Sequence, residues 1–461
     1  MLVTIDKDIC TGCQECSEVC PNYAIWGEHG QPQEISVDRC LRCGRCVQKC
    51  NSYVSLIEHG YNTYIKKRTE RHLPESLSEP LFAANNECNI KKVATALADK
   101  DTYTMVQVAP SVREALAEDF GHEFGTFTPG KVASALNTLG FDKVYDTNFF
   151  ADLTIMEEAN ELVQRVKNGG VLPMFTSCCP SWVRYLEVNN PELTDHLSSA
   201  KSPQQIGGAI FKTYGAKLNN VEPQNVFSVA IMPCTAKAFE AERPEMNVDG
   251  LRDVDAVLTT RELAYLIKDA DIDFEALEDF SFDAPLGTFS GAGEIFGSSG
   301  GVMEAALRTA IELITDKPLP EVEIKSVRST YGFKEVEIPA GDLTIKVGIV
   351  TGLKNIEPLL EKLKAGTLDL HFIEVMTCPS GCVSGGGQPK VLLETEKEDA
   401  WAFRRNALYT DDERKIVRKS HENPDIIKLY KEFLGKPLGE MSHKLLHTHY
   451  AHVQGASVDA E

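Results

Sequence analysis

Residues 10–21 read CTGCQECSEVCP and residues 40–50 read CLRCGRCVQKC, so one cysteine pattern occurs twice near the start of the chain. Both fit C-x2-C-x2-C-x3-C, the spacing that wraps a tight loop around a [4Fe–4S] cubane. Two-residue gaps turn three successive thiolates inward, and the fourth cysteine reaches across to the other cluster. The expected ligand sets are Cys10, Cys13, Cys16 and Cys50 for one cluster, and Cys40, Cys43, Cys46 and Cys20 for the second. Structural zinc sites rarely use four-cysteine runs in duplicate, so the reading is iron–sulfur. Pro21 follows the first run, whereas Asn51 stands where a second proline is expected, a change that touches no ligand. Two clusters in a small head conduct electrons rather than use them. Something downstream must give or take those electrons.

At 461 residues the chain has room for several domains. Its 43% hydrophobic and 25% charged residues are those of an ordinary globular protein. No run reaches the ~18 apolar residues that a membrane-spanning helix needs. The opening MLVTIDKDICTGC lacks the basic and then apolar regions of a secretory leader. These features predict a cytoplasmic protein, where thiols stay reduced. Fourteen cysteines then point to metal rather than disulfides. A formal charge of −21 argues against nucleic acid as a partner, because a phosphate-binding face needs clustered Lys and Arg. Residues 1–75 hold nine Lys/Arg against ten Asp/Glu, so the negative charge lies downstream. Arg42, Arg45 and Lys49 make a local basic cluster, a candidate docking face for an acidic partner.

After a polar, mixed-charge connector, apolar runs alternate with amphipathic stretches, which predicts an α/β body. Expected strands are 103–110, 171–177, 226–233, 255–260, 344–352 and 370–377. Expected helices include 155–167, 202–214, 302–315 and 424–434, with Gly169-Gly170 ending the first. Five cysteines share one placement. Cys178 and Cys179 follow one strand, Cys234 a second, and Cys378, with Cys382 close behind, a third. In open α/β sheets, ligands gather outside the carboxyl ends of strands. One further cubane would use four of these thiols and leave one for another task. Neighbours in extended chain point opposite ways, so Cys178 and Cys179 are not expected to serve one metal together. Cys88 lies outside every motif and reads as an inert thiol.

Three signatures now stand together: TSCCPSW (176–182), MPCTAKAFEAERPE (232–245) and EVMTCPSGCVSGGGQP (374–389). They resemble the three active-site motifs of the [FeFe]-hydrogenases, in the same order and behind a ferredoxin-like head. The resemblance extends to SSAKSPQQ (198–205), to SGAGEIFGSSGGVMEA (290–305) and to a tail similar to the family's small-subunit segment. Ser181 departs from it, standing where glycine is common. The resemblance implies an α/β fold, α+β overall. A two-cluster [4Fe–4S] ferredoxin-like domain would span 1–75, a connector 76–100 and a small-subunit-like segment 401–461. The two-lobed α/β catalytic domain would span 101–400, with the active site between its lobes.

Carried over residue by residue, it implies that Cys179, Cys234, Cys378 and Cys382 hold a [4Fe–4S] cubane. Cys382 would bridge that cubane to a diiron centre with carbonyl, cyanide and azadithiolate ligands, completing the H-cluster. Lys237 would place a cation beside a cyanide, which would in turn supply the anion a buried lysine needs. Ser111 would be a second donor. Ala109, Pro110, Gln204, Met232, Phe296 and Met376 match the rest of the lining.

Cys178 is then the spare thiol, a proton donor and acceptor beside the diiron centre. Glu158, Glu161 and Arg165 form a stripe flanking the apolar face of Ile155, Ala159, Leu162 and Val166. On residues alone, Glu161 and Arg165 read as an exposed i,i+4 pair. The resemblance instead makes Glu158, Ser198, Glu161 and Arg165 the path by which protons reach water. The implied activity is 2H⁺ + 2e⁻ ⇌ H2, with electrons exchanged through the head clusters with ferredoxin or flavodoxin. Maturation enzymes would supply the diiron centre, and the fused tail favours a monomer. Two rivals are an iron–sulfur assembly factor without the diiron centre and a hydrogen sensor without the thiol relay. Cys178, Glu158, Glu161 and Ser198 argue against both. His443, His447, His449 and His452 of the tail read as surface and packing residues.

Overall fold

In the computed structural model, residues 3–74 and 77–450 are described; His452 lies outside them. The body is built on two four-stranded sheets. In the first, Ala256–Thr259, Val226–Met232, Tyr103–Val108 and Lys143–Asp146 lie side by side, all parallel. Val229, Ala230 and Ile231 are fully buried, as befits a parallel strand covered on both faces. In the second, the antiparallel hairpin Gly332–Ala340 and Leu343–Thr351 is followed by Phe372–Met376 and the short Met174–Phe175, both parallel. The strand expected over 171–177 is thus reduced to two residues.

One long helix joins the two sheets. Thr147–Asn168 starts where Asp146 accepts a hydrogen bond from the Asn148 N–H at 2.9 Å, and ends at Gly169, whose φ is 77°. Its start precedes the expected one by two turns, because Phe149, Phe150 and Leu153 pack with Tyr145 and Phe211 in one core. Further along, Ala151, Ile155, Ala159 and Leu162 pack with Met174 and Val302 in another. The helix is therefore apolar on two faces and sits between the lobes.

The head is completed from outside its cysteine runs. Val3–Ile5 pairs with Ala84–Asn86, and Tyr53–Val54 with Leu81–Phe82, so the segment expected as a connector closes the head. Head and body then meet at a glycine. Gly44 has φ 69°, and a Cβ there would lie 2.6 Å from Thr235 Oγ1 and 2.9 Å from Gly386 Cα. Thr235 Oγ1 donates to the Arg42 carbonyl at 2.6 Å, and Gln48 Nε2 to the Gln388 carbonyl at 2.8 Å.

This junction also corrects the expected docking face. Arg42 stacks on the Phe239 ring at 4.5 Å, Arg45 reaches the Ser384 carbonyl at 3.4 Å, and Lys49 pairs with Glu394 at 2.9 Å. All three hold the head on the body and are half-buried. A basic cluster in the sequence became an internal seam.

The C-terminal segment is tied down by buried charge. On the helix Lys397–Arg414, Asp412 accepts two hydrogen bonds from Arg308 at 2.9 and 2.8 Å and a third from Arg418 at 2.7 Å. Arg308 also reaches Glu304 at 2.8 Å, and the side chains of Arg308, Glu304 and Asp412 are wholly buried. Breaking such a network leaves uncompensated guanidinium charge out of water, at a cost of about 3–5 kcal/mol. Asp412→Ala is therefore expected to lose about that much stability in urea unfolding, whereas Asp411→Ala, on the more exposed side of the helix, should lose far less.

Candidate metal centre

The five thiols predicted at strand ends come to one place. Cys178 and Cys179 follow Met174–Phe175, Cys234 follows Val226–Met232, and Cys378 and Cys382 follow Phe372–Met376. All five line one cavity between the two sheets. Pro180 opens the helix Pro180–Asn189 directly after the pair, with Cys179 as its N-cap in extended conformation. The thiol of Cys179 lies 3.2 Å from Thr377 Oγ1, across the cavity wall. Gly381, at φ 94°, turns the chain into Cys382; a Cβ there would sit 2.6 Å from the Ser299 nitrogen.

The thiols crowd one another electrostatically. Burial raises Cys382 above its ordinary pKa, with Cys234 and Cys179 adding to the rise and Lys237 opposing it. Cys234 is pushed up to about 11 by burial and by Cys179. Thiols so arranged hold their protons until a metal replaces them, since only the thiolate is a ligand. The Ser111 hydroxyl and the Lys237 ammonium are donors that fit an anionic guest. Ser111 Oγ is buried on the cavity wall without a hydrogen-bond partner, as is the acceptor Gln204 Oε1, and Lys237 joins them there. Buried polar atoms without partners call for a further group. Ala109, Pro110, Met232, Phe296 and Met376 supply the remaining wall.

Lys237 has an anion of its own. Its ammonium reaches Glu240 at 2.9 Å and the Cys178 carbonyl at 3.0 Å. Glu240 in turn accepts from Ser202 at 2.8 Å and Gln204 at 3.1 Å. Glu240 thus gives this lysine an anion besides the cyanide that the resemblance implies. Glu240 was readable as the i+3 neighbour of Lys237 on the helix Ala236–Ala241. Cys43 and Thr377 also line the cavity and were not expected there.

Behind Cys178 runs a line of polar side chains. Among charged groups Glu158 acts most strongly on the Cys178 thiol, which burial raises well above its usual value. Burial, then the charge of Glu161, pushes Glu158 up to about 8, while the Ser198 hydroxyl favours its ionised form. Ser198 Oγ donates to Glu161 at 2.9 Å, and Glu161 pairs with Arg165 at 2.7 Å. Glu158 is 2% exposed, whereas the side chains of Glu161 and Arg165 are 12% and 15% exposed, so the line runs from interior to surface. The Ser199 N–H holds Glu161 as well, at 3.0 Å, and Ser199 Oγ lies 2.9 Å from His447 Nδ1. His447, expected as a packing residue, also contacts the buried Glu157 at 2.9 Å.

The head cysteines fall into two groups. Burial and then the thiols of Cys50, Cys10 and Cys13 raise Cys16 to about 12. Burial raises Cys46 well above its ordinary value, with Cys43, Cys40 and Cys20 acting on it most strongly among the thiols and Cys16 next. Cys378 is the thiol that acts most strongly on Cys43. The two head groups therefore adjoin through Cys16 and Cys46, and the second adjoins the cavity through Cys43 and Cys378.

Residues 102–386 match the family model of the iron-only hydrogenase large subunit, C-terminal domain. The chain belongs to the iron-only hydrogenase family. Residues 2–51 match a 4Fe-4S dicluster domain, and 398–453 the iron hydrogenase small subunit. One similar relative is the periplasmic [Fe] hydrogenase large subunit of Nitratidesulfovibrio vulgaris. There identity is 43% over 84% of this chain and 86% of that protein. Iron hydrogenase 1 of Clostridium pasteurianum is 48% identical over 80% of this chain, which spans 65% of that longer protein. An apo [FeFe]-hydrogenase structure from Chlamydomonas reinhardtii superposes with a TM-score of 0.71 at 41% identity, over 79% of this chain and 99% of that one.

A carboxyl raised above its unfolded pKa stabilises the fold below the unfolded value and loses that contribution as pH rises through the folded one. For Glu158 the window runs from 4.5 to about 8. Wild type should therefore lose melting temperature against Glu158→Gln as pH increases across that window. A difference independent of pH would show that Glu158 ionises as freely in the folded chain as in the unfolded one.

Proposed function

We propose that the chain is an [FeFe]-hydrogenase, catalysing 2H⁺ + 2e⁻ ⇌ H2 at an H-cluster. The observation that carries the reading is the convergence of four strand-end thiols on one cavity, with a fifth thiol backed by a carboxylate line to the surface. Cys179, Cys234, Cys378 and Cys382 would hold the cubane, with Cys382 also the bridge to the diiron centre. When bound, the cluster supplies the redox-active iron at which protons and electrons interconvert with H2. Everything else falls to the protein.

Lys237 and Ser111 present donors to the cluster's anionic ligands, and the apolar wall of Ala109, Pro110, Met232, Phe296 and Met376 excludes water. Gln204 fixes the Lys237–Glu240 pair by donating to both the Lys237 carbonyl and Glu240, at 3.0 and 3.1 Å. Cys178 carries a proton between the cavity and Glu158, its sulfur acting in turn as acid and base. Glu158 passes it through the Ser198 hydroxyl to Glu161, and Arg165 holds Glu161 at the surface. A carboxyl near pKa 8 suits this work, because it gains and loses protons close to neutral pH.

Electrons enter through the head. Cys10, Cys13, Cys16 and Cys50 would hold the outer cluster, and Cys40, Cys43, Cys46 and Cys20 the inner one. Cys13 is exposed, which makes its loop the point of approach for a soluble carrier such as ferredoxin or flavodoxin. No helix among the described residues is long and apolar enough to cross a membrane. A cytoplasmic monomer, loaded by dedicated maturation enzymes, fits fourteen free cysteines and the fused small-subunit segment.

The test is hydrogen evolution from reduced methyl viologen by anaerobic protein carrying its diiron centre. Cys178→Ala is expected to lose roughly 10²–10⁴-fold in rate, the usual contribution of a positioned acid–base group, with iron content unchanged. Full activity in the variant would remove the thiol from the proton path. Inactivity of fully loaded wild type would favour a sensor.

A further inference from the structure

The loop that begins at Cys382 runs on past both head sites. At Gly386 a Cβ would meet the Cys43 carbonyl at 2.5 Å, so the loop touches the inner ligand set. It then reaches the outer one: the Lys390 ammonium donates to the Cys50 carbonyl and lies 3.3 Å from the centroid of the Phe82 ring. The Lys390 side chain is part-buried there, between the head and the body.

Several inward-packed lysines in this chain have carboxylates. Lys237 has Glu240 at 2.9 Å, Lys201 has Asp253 at 2.8 Å, and Lys67 has Asp6 and Asp8 at 3.1 and 2.7 Å. Lys390 forms no salt bridge among the described residues, and its ammonium donates to a backbone carbonyl instead. An ammonium taken out of water without an anion is costly. A [4Fe–4S] cluster on four thiolates is itself an anion, and Cys50 belongs to the set that would hold one.

We propose that Lys390 is the counter-ion of the outer cluster, the one assigned to Cys10, Cys13, Cys16 and Cys50, and raises its reduction potential. Net charge and hydrogen bonding around the ligands are among the settings of such a potential. Reduction adds one electron, making the cluster more negative without forming or breaking a bond, and a fixed cation stabilises that product. Lys390 acts through the ligand shell and is a positioning residue, not a catalytic one. The inference rests on the head binding two clusters, and is independent of the diiron chemistry.

The experiment is an EPR-monitored redox titration of the full chain prepared anaerobically with its cubanes, the outer cluster's step being assigned by its perturbation in Cys13→Ser. Lys390→Met and Lys390→Gln should move the outer step to more negative potential and leave the inner step in place. Lys390→Arg, which keeps the charge, should restore it. An unmoved outer step in both neutral variants would overturn the proposal, as would an equal shift of both steps. Loss of the outer cluster from both neutral variants would also overturn it, making Lys390 a structural prop. Failure of wild type to bind any cubane would instead sink the iron–sulfur reading itself.

Discussion

Cys43 and Cys378 can be neighbours only because the turn beside Cys43 lies backbone to backbone on the loop that follows Cys382. Gly44 and Gly386 face each other there, and a Cβ on either would meet the other strand of chain inside 3 Å. Side chains on both flanks lock the approach: Thr235 onto the Arg42 carbonyl, and Gln48 onto the carbonyls of Gly385 and Gln388. The two head groups share their cysteine runs, whereas the cavity thiols come from other lengths of chain. This one steric allowance sets the head pair in series with the cavity rather than apart from it.

Charge management in the interior follows the same economy. Among the described residues, buried cations of the body other than Lys390 lie beside carboxylates: Arg113 with Asp146 and Glu294, Arg308 with Glu304 and Asp412, Lys237 with Glu240. Such pairs contribute little net stability, yet removing one member is expensive. They fix where elements meet, here the small-subunit segment on the helix Gly301–Thr315 and the cavity wall on the helix Ala236–Ala241. Glu158 is the exception within the site. It is buried beside a second carboxylate rather than a cation, and the strain of that placement brings its pKa toward neutrality. A group that must exchange protons is kept where neither form is strongly preferred.

Much of the site was legible because its chemistry is written in cysteine spacing and in apolar runs that stop at Cys. The strand before Cys234 and the strand before Cys378 formed as expected, and Gly169 ended its helix. Other parts carry no local signal. The strand Gly332–Ala340 loses its alternation at Lys334 and Glu335, carries Pro339, and is recruited by its hairpin partner. The head's closing strands are two or three residues long, too short for any period to show. Arg404 reads as a surface residue on a highly charged helix, yet it is 1% exposed and donates to the Val383 carbonyl at 2.8 Å, beside Cys382. Arg42, Arg45 and Lys49 misled for the same reason: charge in a sequence does not say which surface will be covered. Both cases are settled by tertiary packing.

The guest proposed for the cavity is a diiron centre attached through Cys382, not a cubane alone. Infrared spectroscopy of the matured chain tests it most directly, because carbonyl and cyanide stretches lie where protein does not absorb. Both sets of bands are predicted in wild type and should vanish in Cys382→Ser, with the head-cluster EPR signals retained. A matured wild-type chain that carries its cubanes but shows neither set of bands would contradict the account and leave an iron–sulfur assembly factor as the better description.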